Sequence, residues 1–310
     1  FGEAVRFLAE RAGIELTGES FGEADQANDG PDRTTLQRAI EYAVRQYRKQ
    51  LADEGPDGAG RTTIAKRGIS DEMAERFQLG VANASGAWLA EQLSKKRPAL
   101  AVAEAAGLIK RNPSDGSNYD AFRRRLIFPI CDQFGKPIAL GGRVLDPDDQ
   151  PKYLNSAENA LFHKSRTLYG LHPAKRAIVD AGRAIVVEGY TDVIACHQAG
   201  VENVVGTLGT ALTDDHAKML SRLCDDVVLV FDGDEAGQRA ADRGVEVFFR
   251  HPVDVRICVL PDEKDPDQLL HEPEGEAAFR SAVEQAEDAL SYKLSRFRQS
   301  IAGAAGLSAR

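Results

Sequence analysis

The chain has 310 residues, 43% of them hydrophobic, and a formal net charge of −9. That length points to two or three domains rather than one small core. No stretch approaches eighteen apolar residues, so no membrane-spanning helix is expected. The acidic total argues at first against a nucleic-acid partner, but the signs segregate. Residues 110–176 hold twelve Lys/Arg against seven Asp/Glu, and residues 177–272 hold eight against nineteen. A basic surface beside a strongly acidic one suits an enzyme that holds a polyanion and brings metal ions to it.

The chain starts Phe1-Gly2-Glu3-Ala4-Val5-Arg6, polar within two residues and without a signal-peptide pattern. Phe1, Val5, Leu8 and Ala12 share a helix face, and with no initiator Met the chain is expected to begin inside a longer one. Residues 1–20 read as a helix plus turn, and 17–33 as a polar, Gly/Asp-rich loop. A helix over 34–51 is expected to turn Ala39, Tyr42, Ala43, Gln46 and Tyr47 inward and Arg45, Arg48 and Lys49 outward. After a break at 55–60 come short helices: 71–77 capped by Ser70, then 87–93 and 99–106. Residues 126–131 read as a strand, 132–136 as a hairpin turn and 137–140 as the returning strand. Gly141-Gly142-Arg143 is expected to be a tight bend before a Pro/Asp-rich loop at 146–151.

From residue 184 the pattern alternates. Strands are expected at 185–187, 203–206, 227–231 and 253–260. Between them lie helices over 191–199, from Thr213 onward, and over 235–249. Such spacing implies βαβ units and a mainly parallel sheet. Residues 274–302 read as one further helix. The expected division is a basic α+β part at 1–176, a parallel α/β part at 177–272 and a helical segment at 273–310. Cys131, Cys196, Cys224 and Cys258 show no zinc-finger spacing, Cys196 and Cys258 sit in apolar runs, and a reducing cytoplasm fits. His197 and His216 are placed on helix surfaces, and His163 in a structural or surface role.

Three acidic groups fall at the same structural place, just past a buried strand. Glu188 follows the strand at 185–187, Asp232 and Asp234 follow 227–231, and Asp265 and Asp267 follow the strand ending at Leu260. Ligands of open α/β sheets bind outside the carboxyl ends of the strands, so these distant carboxylates can meet there. Gathered alone they would repel one another; a hard divalent cation removes that cost. Gly233 between two acids permits an unusual backbone angle, and Pro266 fixes φ and can open the next helix. Taken singly, each acid is ordinary as a helix cap or loop residue.

At this point the residues resemble a known pattern. Glu188-Gly189-Tyr190-Thr191-Asp192, Gly206-Thr207-Leu208-Gly209-Thr210, the Phe231-Asp232-Gly233-Asp234-Glu235 run and residues 261–267 are similar to the TOPRIM fold. More narrowly, the chain resembles the RNA polymerase domain of bacterial DnaG-type primases. Upstream, Phe122-Arg123-Arg124-Arg125 running on through Phe128-Pro129-Ile130, Gly141-Gly142-Arg143, Pro151-Lys152-Tyr153-Leu154-Asn155-Ser156, Phe162-His163-Lys164 and Leu168-Tyr169-Gly170-Leu171 follow that family's motifs in order. The likeness covers about residues 60–272 well. Family members also carry an N-terminal zinc-binding domain and a C-terminal helicase-interacting domain, for which this sequence shows no counterpart, so it is expected to be the catalytic core alone.

The resemblance implies primer synthesis on a single-stranded DNA template from ribonucleoside triphosphates, giving a short RNA primer with two or three Mg²⁺ or Mn²⁺ ions. A replicative helicase would be reached through a domain outside this chain, and the location would be the cytoplasm. It makes Glu188, Asp232, Asp234, Asp265 and Asp267 metal ligands, with Glu188 left open between ligand and acid/base. Asp192, one helical turn on, would support Glu188 without touching metal. Arg123, Arg125, Arg143, Lys152, Tyr153, Asn155 and Lys164 would hold template or triphosphate, Arg through its planar fork and Lys as a compact charge. Tyr153 and Phe162 could stack on bases. Arg67 stays open between phosphate binding and a solvated face, as does Gly206–Thr210 between phosphate approach and simple turn chemistry. Two other classes remain: a nuclease or topoisomerase fragment, which would cleave DNA without nucleotides, and a non-catalytic DNA-binding scaffold, which would bind without metal.

Overall fold

Leu36, Ile40, Ala43, Val44, Tyr47 and Leu51 recur at three- and four-residue steps, and α1 (Arg33–Asp53) buries all six. The expected face is therefore rotated. Ala43 and Tyr47 point inward, but Ala39, Tyr42 and Gln46 sit half-buried at its edge, because the row through Leu36, Ile40 and Val44 offers more apolar area. The computed structural model describes residues 31–94, 99–231 and 235–308. The helix expected at 1–20, most of the loop after it, and Asp232 and Asp234 lie outside the described residues.

Two short helices follow, α2 (Ala59–Lys66) and α3 (Asp71–Arg76). Ser70 caps the second by accepting the Met73 amide at 3.2 Å. Next come β1 (Gly80–Ala82), α4 (Trp88–Ser94), α5 (Ala99–Ala105) and a hairpin of β2 (Ile109–Arg111) and β3 (Asn118–Asp120). Strands β4 (Arg125–Cys131), β5 (Pro137–Val144) and β6 (Tyr153–Asn155) join β1 in an antiparallel sheet of order β1-β4-β5-β6. Gly141 and Gly142 do not bend. They continue β5, where glycine marks close approach rather than a turn. A Cβ on Gly141 would lie 2.5 Å from the Tyr190 hydroxyl, and one on Gly142 would lie 2.8 Å from the Phe122 ring.

After α6 (Leu171–Ala181), strands and helices alternate as expected: β7 (Arg183–Val187), α7 (Tyr190–Gln198), β8 (Val204–Gly206), α8 (Asp214–Leu220), β9 (Asp226–Phe231), α9 (Glu235–Phe248), β10 (Asp254–Val259), then α10 (Pro266–Leu270). Thr213 caps α8, accepting the His216 amide at 3.3 Å. The sheet order is β11-β10-β9-β7-β8, parallel throughout except for β11 (Glu287–Asp288). That two-residue strand corrects the expectation of one long C-terminal helix. It separates α11 (Gly275–Glu284) from α12 (Ala289–Ser308), and Asp288 accepts the Leu290 and Ser291 amides, a cap that starts a new helix.

One apolar cluster joins the two sheets. Phe128 and Ile130 of β4 pack with Val187, Tyr190 and Val193 of the parallel sheet region. The rings of Phe128 and Tyr190 stack at 5.1 Å, and Tyr169 meets Tyr190 edge-on at 4.7 Å. The antiparallel sheet is thus packed on the residues just past Glu188. His197 and His216 correct a second expectation: they are 2% and 0% exposed, not on a surface. Each ring offers Nε2 to a backbone carbonyl, Val204 at 3.0 Å and Lys164 at 2.9 Å, which lets a polar ring enter the core.

Candidate nucleic-acid interface and metal centre

In the order β10-β9-β7-β8 the connection after β7 runs to β8 and the one after β9 runs the opposite way to β10, which places a crevice between β7 and β9, the usual ligand position in open α/β sheets. A cleft of about 350 Å³ opens there, lined by Glu188, Thr207, Gly209, Thr210, Phe231 and Arg243 among others. Glu188 is exposed at the end of β7. Asp192, 7% exposed, turns back to accept the Gly189 amide at 2.8 Å, so it rigidifies the peptide next to Glu188. The turn at 207–210 carries Gly209 at φ +71°, a left-handed angle that glycine tolerates without strain.

Asp265 and Asp267 reach this edge by different means. Asp265 is the N-cap of α10. Its Oδ1 accepts the Gln268 amide at 2.7 Å and the Gln268 side chain returns to the Asp265 amide at 3.2 Å, with Pro266 opening the helix. Asp267 is 5% exposed and forms an ion pair with Arg67, two hundred residues earlier. The Asp267 amide also donates to Asp192 Oδ1 at 3.4 Å. Arg67 is therefore the counter-ion of an acid rather than a solvated charge. His271 braces the pair: one ring nitrogen lies 2.5 Å from the Asp267 carbonyl and the other 2.9 Å from the Arg67 carbonyl.

Among the described residues, no three His, Cys, Asp or Glu groups converge on one point. The donor chemistry nonetheless fits a hard divalent cation, since every candidate offers carboxylate oxygen.

The antiparallel sheet carries the opposite charge. Two adjoining clefts, of about 630 and 490 Å³, share Lys110, Tyr119, Ala121 and Leu154. Asn155 and Lys164 line the first, and Arg123, Arg124 and Arg125 the second. Arg123 is exposed, with its guanidinium 5.2 Å from the Tyr119 ring centre. Arg124 pairs with Asp149 at 3.0 Å. Arg125 differs: it is 6% exposed and donates to the Gly142 and Pro151 carbonyls at 3.3 and 2.9 Å, and burial pulls its pKa below the usual guanidinium value. It shapes the cleft wall more than it offers charge.

Arg143 and Tyr153 lie elsewhere. They are cross-strand partners on β5 and β6, with the Arg143 guanidinium hydrogen-bonded to the Tyr153 hydroxyl and 5.0 Å from its ring centre. Tyr153 faces Tyr190 at 6.0 Å, toward the Glu188 end of the parallel sheet. Lys152 is exposed and Phe162 is wholly buried, so Phe162 is not available to stack on a base. Asn155 is a bridge: its side chain accepts the Tyr190 hydroxyl at 2.5 Å and donates to the Leu208 carbonyl at 2.8 Å. It ties β6 to both loops that border the 350 Å³ cleft. Sequence reasoning passed over Lys110, Arg111 and Tyr119. The signal was a turn-rich Asn112-Pro113-Ser114-Asp115-Gly116 run between two short polar strands.

Comparison with known proteins identifies this arrangement. The family described as DNA primase catalytic core, N-terminal domain, matches residues 46–175, and the Toprim-like family matches residues 185–270. A crystal structure of a DNA primase domain from Pseudomonas aeruginosa is 40% identical, with a TM-score of 0.79 over 84% of this chain and 82% of that one. The chain belongs to the bacterial DNA primase catalytic-core family. The Escherichia coli primase catalytic core is 36% identical, with a TM-score of 0.79 over 84% of this chain and 83% of that one. The structure of a DnaG primase catalytic domain bound to ssDNA is 37% identical, with a TM-score of 0.77 over 83% of each. Among whole sequences, the DNA primases of Pseudomonas aeruginosa and Halalkalibacterium halodurans are 40% and 37% identical over 92% and 96% of this chain. It spans 43% and 49% of their length, about half. Membership in this primase family, with its Toprim domain, implies use of a divalent metal.

Proposed function

We propose that this chain is the RNA-synthesising core of a DNA primase, copying a single-stranded DNA template into a short RNA from ribonucleoside triphosphates. One observation carries the reading. Glu188 and Asp192 after β7 and the Asp265/Asp267 pair after β10 come from two βα units to one edge of a parallel sheet, and Asn155 ties that edge to a sheet bearing basic clefts. A polyanion held in the clefts would lie beside the acids.

In this reading Glu188, Asp232, Asp234, Asp265 and Asp267 hold two or three Mg²⁺ ions, for which Mn²⁺ can substitute. Bound ions supply Lewis acidity at the α-phosphate and ease ionisation of the primer 3′-hydroxyl. The 3′-oxygen then bonds to the α-phosphorus, the bond to the β-phosphate oxygen breaks, and pyrophosphate leaves. The protein's own part is positioning. Asp192 and Asn155 fix the peptides around Glu188 and Leu208. Arg123 and Lys164 hold phosphate, with Lys152 beside them. Arg143, backed by Tyr153, stands on the Tyr190 side, where a triphosphate would approach the acids. Residues 1–176 would serve as the template-holding part, 177–272 as the catalytic part and 273–310 as helical support. A replicative helicase would be met through a part of the longer protein, in the cytoplasm at the replication fork. No described helix is long and apolar enough to cross a membrane.

The test is primer synthesis on single-stranded DNA with labelled ribonucleotides and Mg²⁺ or Mn²⁺, comparing the native chain with Asp232→Asn. Short RNA from the native chain alone is the expected result. Metal-dependent DNA cleavage without nucleotides would move the chain to the nuclease class, and metal-independent DNA binding without turnover would make it a scaffold.

A further inference from the structure

The β2–β3 hairpin presents an aromatic ring to both basic clefts. Tyr119 is half-buried and lines each of them, and so does Lys110, its direct cross-strand partner. Arg123 lies over the ring at 5.2 Å. Among the described residues, neither Lys110 nor Arg123 forms an ion pair with a carboxylate, so both charges are available to a ligand. The next residue holds the hairpin still. Asp120 is 3% exposed, and its two oxygens accept the Leu89 and Ala90 amides of α4, each at 2.9 Å. Its own amide donates to the Gly86 carbonyl at 2.9 Å. A ring whose neighbour is locked into the core costs little to order on binding.

We propose that Tyr119 is a base-stacking platform for single-stranded nucleic acid, with Lys110 and Arg123 engaging the phosphates on either side. This deepens the template-holding reading and rests on it. The clefts would then grip a strand through its bases as well as its backbone. Every base has a π-face, so the platform tolerates any sequence. A cation already resting on the ring keeps the local potential positive where the strand enters.

Fluorescence anisotropy of the whole chain separates the two ideas. The probes are a labelled thymidine oligomer of about 16 nucleotides, near the span of such strand-binding sites, and an abasic strand of equal length. Tyr119→Ala is expected to weaken the thymidine oligomer at least about fivefold, the low end of the stacking contribution per base. It should leave the abasic strand and the salt slope as in the native chain, and Tyr119→Phe should bind as the native chain does. Lys110→Ala should lower the salt slope by about 0.7 on both strands. If Tyr119→Ala binds the thymidine oligomer within twofold of native, or weakens both strands equally, the platform is wrong and strand binding itself still stands. If the native chain binds neither strand at low salt, the platform and the template-holding reading fall together.

Discussion

The two sheets use charge in opposite ways. Around the parallel sheet most of the acids are tied into the fold: buried Asp267 to Arg67, buried Asp192 to the Gly189 amide, and half-buried Asp265 to its own helix. Around the antiparallel sheet Arg123 and Lys152 are exposed and Lys164 is half-buried. Removing a partner from a buried pair leaves a charge in low dielectric, whereas removing an exposed charge leaves water behind. The acidic region should therefore answer mutation with stability, and the basic region with salt-dependent affinity.

The largest effect should come from Arg67→Ala, which leaves Asp267 buried without its counter-ion. About 3 kcal/mol of stability should be lost, read from urea unfolding. Arg67→Ala/Asp267→Ala together should recover much of it, and a double-variant loss equal to the sum of the Arg67→Ala and Asp267→Ala losses would show that the pair is not coupled. His197 gives a pH test of similar size. Burial pushes its pKa down from 6.5 to about 4, so its contribution is complete above pH 6.5 and drains as pH falls toward 4. The loss should approach about 3 kcal/mol, and His197→Gln, which can still donate to the Val204 carbonyl, should flatten that limb of the stability curve.

Arg125 crosses the comparison. It belongs to the basic region but is buried, so Arg125→Ala should cost about 2 kcal/mol of stability through its two carbonyl bonds. A change in salt slope with no loss of stability would place it with the exposed charges instead. Asn155→Ala probes the joint between the sheets. It should cost about 1 kcal/mol and lower primer synthesis more than template affinity, since it frees Tyr190 and the Leu208 turn. The smallest effects belong to Arg123→Ala and Lys164→Ala. Stability should hold within about 0.5 kcal/mol while each lowers the salt slope of strand binding by about 0.7.

Much of this molecule was written locally. Strand runs such as Val227–Phe231, the caps at Ser70, Thr213 and Asp265, and the placement of Glu188 past β7 depend on neighbours a few residues away, so reading the chain reaches them. Family motifs added the order of the basic residues and, with them, the primase class. Tertiary structure decided the rest, because it depends on which surfaces meet. Gly141 looks like a bend until the Tyr190 ring is laid against it. His197 and His216 look like surface residues until carbonyls from other segments receive them. The C-terminal helix is broken by a strand pairing with β10 that no helical period announces. Arg67 and Asp267 stand two hundred residues apart, and Tyr119 meets Lys110 only when the hairpin closes. Backbone preference acts over one or two turns of chain, whereas the partner of a buried charge is chosen by packing, which joins segments without regard to their distance in sequence.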